Sequence, residues 1–126
     1  MVADLSDLQS ISPDSNLLIY LSWSAMDTRS SKLFIAPTDG GPPIKSLDVN
    51  GYEYAWSPSG RSLTFRWSRD GVTNLWEQPL DGREPRQLTH FTSEGVLTHA
   101  WSRDGKQLAV ALNKVTSDVV LISDVR

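Results

Sequence analysis

The chain has 126 residues, 39% hydrophobic and 21% charged, which places it among globular sequences and away from disordered ones. Its net charge of −3 argues against a dedicated nucleic-acid binder or a cationic membrane-surface protein. With no cysteine there is no disulfide, thiolate metal site or cysteine nucleophile, and the five tryptophans in so short a chain ask for a structural reason.

The first fourteen residues, MVADLSDLQSISPD, contain no Lys or Arg, so this stretch lacks the basic region that opens a secretory signal. The longest apolar runs, Leu17 to Leu21 and Val119 to Ile122, have strand length. They fall far short of the ~18 residues that cross a bilayer as a helix. The expectation is a soluble chain with no membrane insertion and no address of its own. Its compartment is unknown, and an extracytoplasmic or periplasmic place follows only if it is excised from an anchored or secreted parent.

Self-similarity organises the rest. SPDS (Ser12 to Ser15), SPSG (Ser57 to Gly60) and SRDG (Ser102 to Gly105) recur at intervals of 45 residues. Ile11, Trp56 and Trp101 precede these anchors, and Leu18, Leu63 and Leu108 open the apolar runs that follow. Downstream, LFIAPTDGG (Leu33 to Gly41) matches LWEQPLDGR (Leu75 to Arg83), and VVLISD (Val119 to Asp124) falls in the same slot.

The first unit begins with Val2, Leu5, Leu8 and Ile11, spaced every three residues, which the alignment makes an irregular first strand. Its most divergent loop is WSAMDTRSS (Trp23 to Ser31). The second unit shows the pattern most clearly. YEYAW (Tyr52 to Trp56) leads to a turn at Ser57 to Gly60 and then SLTFRW (Ser62 to Trp67). A turn at Arg69 to Gly71 precedes NLWEQPL (Asn74 to Leu80), and Asp81-Gly82 precedes PRQLT (Pro85 to Thr89). These are strand-length runs rich in aromatic and β-branched residues, separated by dipeptides that suit hairpins. No stretch keeps a helical spacing without meeting a Pro or Gly.

A four-stranded unit repeating at about 40–50 residues predicts a β-propeller blade. The chain is therefore expected to be an all-β partial propeller of three antiparallel blades, at about 1–48, 49–89 and 90–126. The third blade is expected to lack its fourth strand, the equivalent of Pro85 to Thr89.

AWSPSGRSLTF (Ala55 to Phe65), AWSRDGKQLAV (Ala100 to Val110) and RQLTH (Arg86 to His90) resemble the TolB-type, WD-like propeller repeat of bacteria. Departures are Ile11 for Trp, Ser15 for Gly, Ser59 for Asp and Arg103 for Pro. More loosely, GGPPIK (Gly40 to Lys45) and SDVVLISD (Ser117 to Asp124) resemble C-terminal propellers of bacterial multidomain regulators, where a serine/threonine kinase or DNA-binding domain precedes the propeller. The resemblance implies a TolB-like fold. Closed rings of this architecture need about 4–8 blades. Three blades thus imply either a piece of a longer polypeptide or two copies closing a six-bladed ring, and the two are compatible.

Candidate sites are few. His90 and His99 have no neighbours at a zinc-ligand spacing, and no serine lies in a nucleophile elbow. No calcium or phosphate loop is present. Asp14 and Asp104 read as turn formers, and Ser59 at the equivalent position breaks any catalytic pairing. Trp56 and Trp101 read as packing between blades. Trp23 and Trp67 are either exposed binding aromatics or core, with packing favoured. Arg61, Arg66 and Arg69 form a basic cluster that strand alternation and solvation explain. In the family the first strand of each blade lines the central channel. That implies Tyr52, Glu53, Thr98 and His99 at a ligand- or partner-facing rim.

The expected function is a non-catalytic module for protein–protein interaction or sensing, without cofactor or metal. Its expected partners are another protein or a second copy of the chain, not nucleic acid. The alternatives are the gating propeller of a prolyl-oligopeptidase-like hydrolase, and a propeller binding a small molecule or glycan.

Overall fold

A computed structural model describes residues 6–22, 32–93, 95–113 and 118–123. Trp23, the rest of the divergent loop and the first residues of the chain lie outside them. The chain divides into two compact units, Met1–Asn50 and Gly51–Arg126.

The first unit is one antiparallel sheet of four strands: β1 (Ser6–Ile11), β2 (Leu17–Ser22), β3 (Lys32–Pro37) and β4 (Lys45–Asp48), in that spatial order. Its two central strands are apolar on both faces. Ile19 is paired with Ile35 and both are buried, while on the opposite face Tyr20 stacks on its partner Phe34 at 5.5 Å. Continuous apolar runs such as LLIYL suit a sheet that is covered on both sides.

The second unit holds two sheets. β5 (Tyr52–Trp56), β6 (Ser62–Arg69), β7 (Val72–Pro79) and β8 (Arg86–Gln87) repeat the four-strand order of the first unit. β9 (Val96–Trp101), β10 (Gln107–Leu112) and β11 (Asp118–Ser123) form a sheet of three strands among the described residues, with β10 central. Their facing surfaces bury Leu75 against Val96, Leu108, Val110 and Leu112, with Leu88, Phe91, Trp101, Val120 and Ile122 around the edge. All described elements are strands, and they make three antiparallel blade-like sheets, as in a partial propeller.

The β6–β7 hairpin is longer than the sequence pattern suggests, because Asp70 (φ 54°) and Gly71 (φ 81°) close it as a two-residue turn and pairing continues to Arg69–Val72. The fourth strand of the second sheet is shorter than the Pro85 to Thr89 run predicted for it. After Gln87 the backbone N–H groups of Leu88 and Thr89 both turn onto the Leu75 carbonyl.

One turn is built three times. The N–H of Ser15, Gly60 and Gly105 donates to the carbonyl of Ser12, Ser57 and Ser102 respectively, at 2.9–3.0 Å. The carboxylates of Asp14 and Asp104 accept from the serine hydroxyl two residues before, at 2.7 and 2.6 Å. They also accept from the backbone N–H two residues after, at 2.9 and 3.0 Å. The hydroxyl bond first and the backbone bond second hold both carboxyls below the usual aspartate range. Ser59 does the same job with its hydroxyl, at 3.1 Å to both Ser57 and the Arg61 N–H.

The last residue of each turn is left-handed: Ser15 at φ 65°, Gly60 and Gly105 at φ 74°. Only glycine adopts this region without a Cβ clash, so Ser15 carries a conformational cost its two counterparts avoid. Ser15→Gly is expected to stabilise the chain by about 0.5–1 kcal/mol. Gly105→Ala should do the reverse, since its Cβ would also lie 2.7 Å from Pro58. Thermal melts of the two variants, compared with the parent, check the pair; a Ser15→Gly melt at or below the parent value would refute the turn argument.

Candidate inter-sheet polar network and rim

β5 and β9 hold equivalent places in successive sheets, and their side chains meet. β5 is bulged between Tyr52 and Ala55, and Glu53 there takes a left-handed backbone, φ 57°. A bulge re-aims a side chain; this one brings the Glu53 carboxylate to β9. Glu53 Oε1 lies 2.9 Å from the His99 backbone N–H and 2.7 Å from His99 Nδ1. Its Oε2 accepts from the Thr98 hydroxyl. The Arg66 Nε, on the neighbouring strand β6, stands 3.4 Å from Oε1.

The network continues inward. His99 Nε2 lies 2.9 Å from the Thr64 hydroxyl, which accepts from the Trp101 indole N–H at 3.2 Å. The Glu53 carboxylate only accepts, so the proton of the neutral imidazole sits on Nδ1 facing it, which leaves Nε2 to accept the Thr64 proton while a Thr64 lone pair takes the indole N–H. Donation therefore runs one way, from Trp101 to Thr64 to His99 to Glu53. The order of groups matches a hydroxyl–imidazole–carboxylate relay, but Thr64 is fully buried and the His99 side chain has no exposure. No substrate reaches that oxygen. The relay ties two sheets together.

Of the four residues expected at a rim, Glu53, Thr98 and His99 are joined in this network. Tyr52 stands beside it, 64% exposed, with the Arg66 guanidinium 5.9 Å from its ring centre. Thr98 is exposed, as is Leu97 next to it at 54%. Thr64, Arg66 and Trp101 were not singled out with them. The one sequence signal for Thr64 is a polar residue inside an apolar strand run, in SLTFRW. His90 is exposed on the connector after β8. Among the described residues no group of three or more His, Cys, Asp or Glu could hold a metal ion. No helix there is long and apolar enough to cross a membrane.

A cleft of about 750 Å³ lies between the Ser57–Gly60 turn and Trp101. Most of its polar groups are engaged with one another. Arg86 pairs with Glu77 at 2.8 Å, Ser62 donates to Glu77 at 2.7 Å, and Arg83 pairs with Asp81 at 2.8 Å.

No family model matches the chain. An uncharacterized protein of Agrobacterium fabrum is 31% identical over 81 residues, which is 64% of this chain and 27% of that protein. Tricorn protease homolog 1 of Streptomyces coelicolor is 28% identical over 86 residues, 67% of this chain and 8% of that protein. Among solved structures, the putative TolB of Agrobacterium tumefaciens superposes with a TM-score of 0.71 at 20% identity, over 94% of this chain and 46% of that one. The chain has the TolB-type β-propeller fold. The propeller domain of the Trilobed protease of Pyrococcus furiosus has the same blades, with a TM-score of 0.63 at 14% identity, covering 94% of this chain and 38% of that one. The TolB-type chain thus spans about a quarter or less of the curated relatives quoted and under half of these solved chains.

Burial of Glu53 works to raise its pKa, but the bonds from His99 and Thr98 outweigh it and hold the carboxyl below the usual glutamate range. A carboxylate depressed in the folded state stabilises it above the ordinary glutamate value, and that contribution disappears as pH falls through the folded value. Glu53→Gln should therefore lower the melting temperature at neutral pH and flatten its fall below pH ~5. Melts across an acid series test this; a parent and variant that lose stability in parallel would show that Glu53 carries no such linkage.

Proposed function

We propose that the chain is a non-catalytic interaction module of a larger bacterial protein, binding a protein or peptide at the β5–β9 rim. The observation that carries this is the one-way network just described. It uses the groups that could do chemistry to fix two strands, and leaves Tyr52, Leu97 and Thr98 exposed on that fixed support. Aromatic and aliphatic side chains on a rigid frame are what a recognition surface needs, since little entropy is lost when they bind. A kinase or other regulatory domain in the same polypeptide would use such a module as its sensor.

The likeness to Tricorn protease homolog 1 supports a neighbouring reading, in which the blades are the accessory propeller of a peptidase and the chemistry lies in another domain. Both readings make the described residues themselves inert. Peptides selected on the chain by display should lose at least ~10-fold in affinity for a Tyr52→Ala, Leu97→Ser double variant. The chain should neither hydrolyse a mixed peptide-amide substrate pool nor react with a fluorophosphonate. Selected peptides indifferent to the double variant, or turnover abolished by His99→Ala, would overturn the proposal.

Self-association is supported by a different observation. β10 and β11 are apolar on both faces. Leu108, Val110, Val120 and Ile122 turn to the buried side, while Val119 and Leu121, on the other face, are 63% and 59% exposed. A blade face of this kind suits another blade, and a second copy would supply one. In sedimentation velocity the parent is expected as a dimer and Val119→Lys, Leu121→Lys as a monomer. A parent that stays monomeric at every concentration would exclude this assembly.

A further inference from the structure

At the opposite end of the second sheet from the Ser57–Gly60 turn, the β6–β7 hairpin carries a feature the rim does not use. Trp67 and Trp76 lie on one face of the two strands, their rings 4.8 Å apart and inclined at 59°. Over this open angle sits the guanidinium of Arg69, its Cζ 4.9 Å from the Trp67 ring centre and 5.6 Å from that of Trp76. The rings border a cavity of about 410 Å³, whose other walls include Asp70, Asn74 and Phe91.

The walls are held in place. Behind Trp67, Phe65 packs at 5.9 Å and is fully buried. Asn74 grips the backbone of Phe91 at both ends, accepting from its N–H at 2.8 Å and donating to its carbonyl at 3.1 Å. The same Asn74 oxygen accepts from Thr89, whose hydroxyl in turn accepts from the Leu75 N–H. Arg69 is different. It is exposed, and among the described residues no carboxylate pairs with it. Asp70 beside it is likewise exposed and without an ion pair among the described residues.

Two tilted indoles attract a cation over their faces, and a flat guanidinium adds stacking to that attraction. A cage with rigid aromatic walls, a nearby unpaired acid and room beside its present occupant has the chemistry of a cation receptor. We propose that it binds an arginine side chain of a partner peptide, with Arg69 as an internal occupant that gives way. Arg69 itself demonstrates that a guanidinium fits the angle between the rings. Asp70 supplies the charge complement, and the chain's net charge of −3 favours a cationic partner. This site is separate from the β5–β9 rim, so its failure leaves that reading standing.

The test is a titration with N-acetyl-arginine amide, following the indole N–H resonances of Trp67 and Trp76, with N-acetyl-lysine amide as the comparison. Removing the internal competitor in Arg69→Ala should tighten arginine binding roughly 2- to 5-fold over the parent, as expected for a cation–π contact of this exposure. Arginine should outbind lysine, and Asp70→Asn in the Arg69→Ala background should weaken it. If Arg69→Ala disturbs the hairpin, seen as collapse of the two indole signals, Arg69→Gln keeps the long stem and gives the same readout. Binding no tighter in these variants than in the parent, equal response to lysine, or shifts outside Trp67 and Trp76 would each overturn the proposal.

Discussion

The constraint on which the rest depends is the burial of sheets that are apolar on both faces. A strand such as LLIYL, with Leu17, Ile19 and Leu21 on one face and Leu18 and Tyr20 on the other, cannot be half-solvated without exposing leucine, so its sheet calls for cover on both sides. In the second unit the stack is made through Leu75, Val96, Leu108, Val110 and Leu112, and it fixes where β5 and β9 stand. Only because those strands are fixed can Glu53 reach His99, and only because Thr64 is fully buried do its partners matter so much. A hydroxyl in that position without partners would cost about 1–3 kcal/mol; here it has one donor and one acceptor.

The frame of the fold was legible in the sequence. A 45-residue interval between like turns, with strand-length apolar runs between Gly and Asp punctuation, specifies blades before any coordinate is known. Strand ends were less legible. The β6–β7 hairpin extends to its last possible pair because Asp70 accepts a left-handed backbone, while β8 stops after two residues because its successors find a different acceptor. Both outcomes depend on partners distant in sequence.

The candidate site was legible only in part. Alignment of first strands singled out Tyr52, Glu53, Thr98 and His99, but periodicity says nothing about which of them touch. The contacts depend on the β5 bulge and on Thr64, 35 residues from His99. The arginines show the same limit. Arg61, Arg66 and Arg69 look like one basic cluster in sequence, yet Arg66 goes to Glu53 and Arg69 to two tryptophans, on separate parts of the sheet.

The direction of the Trp101–Thr64–His99–Glu53 chain has a consequence for how repeats are told apart. Blades built from one template offer nearly interchangeable greasy faces, and folding repeat arrays can pair the wrong neighbours. A donor series that fits only one ordering of sheets works as an address: it leaves polar groups stranded whenever another blade takes the place. Position 19 of the first sheet, equivalent to Thr64, is isoleucine, and position 54 of the second, equivalent to His99, is tyrosine. No other pair of these blades can spell the same sequence of hydrogen bonds, so the pairing of the second sheet with the third is written in four side chains.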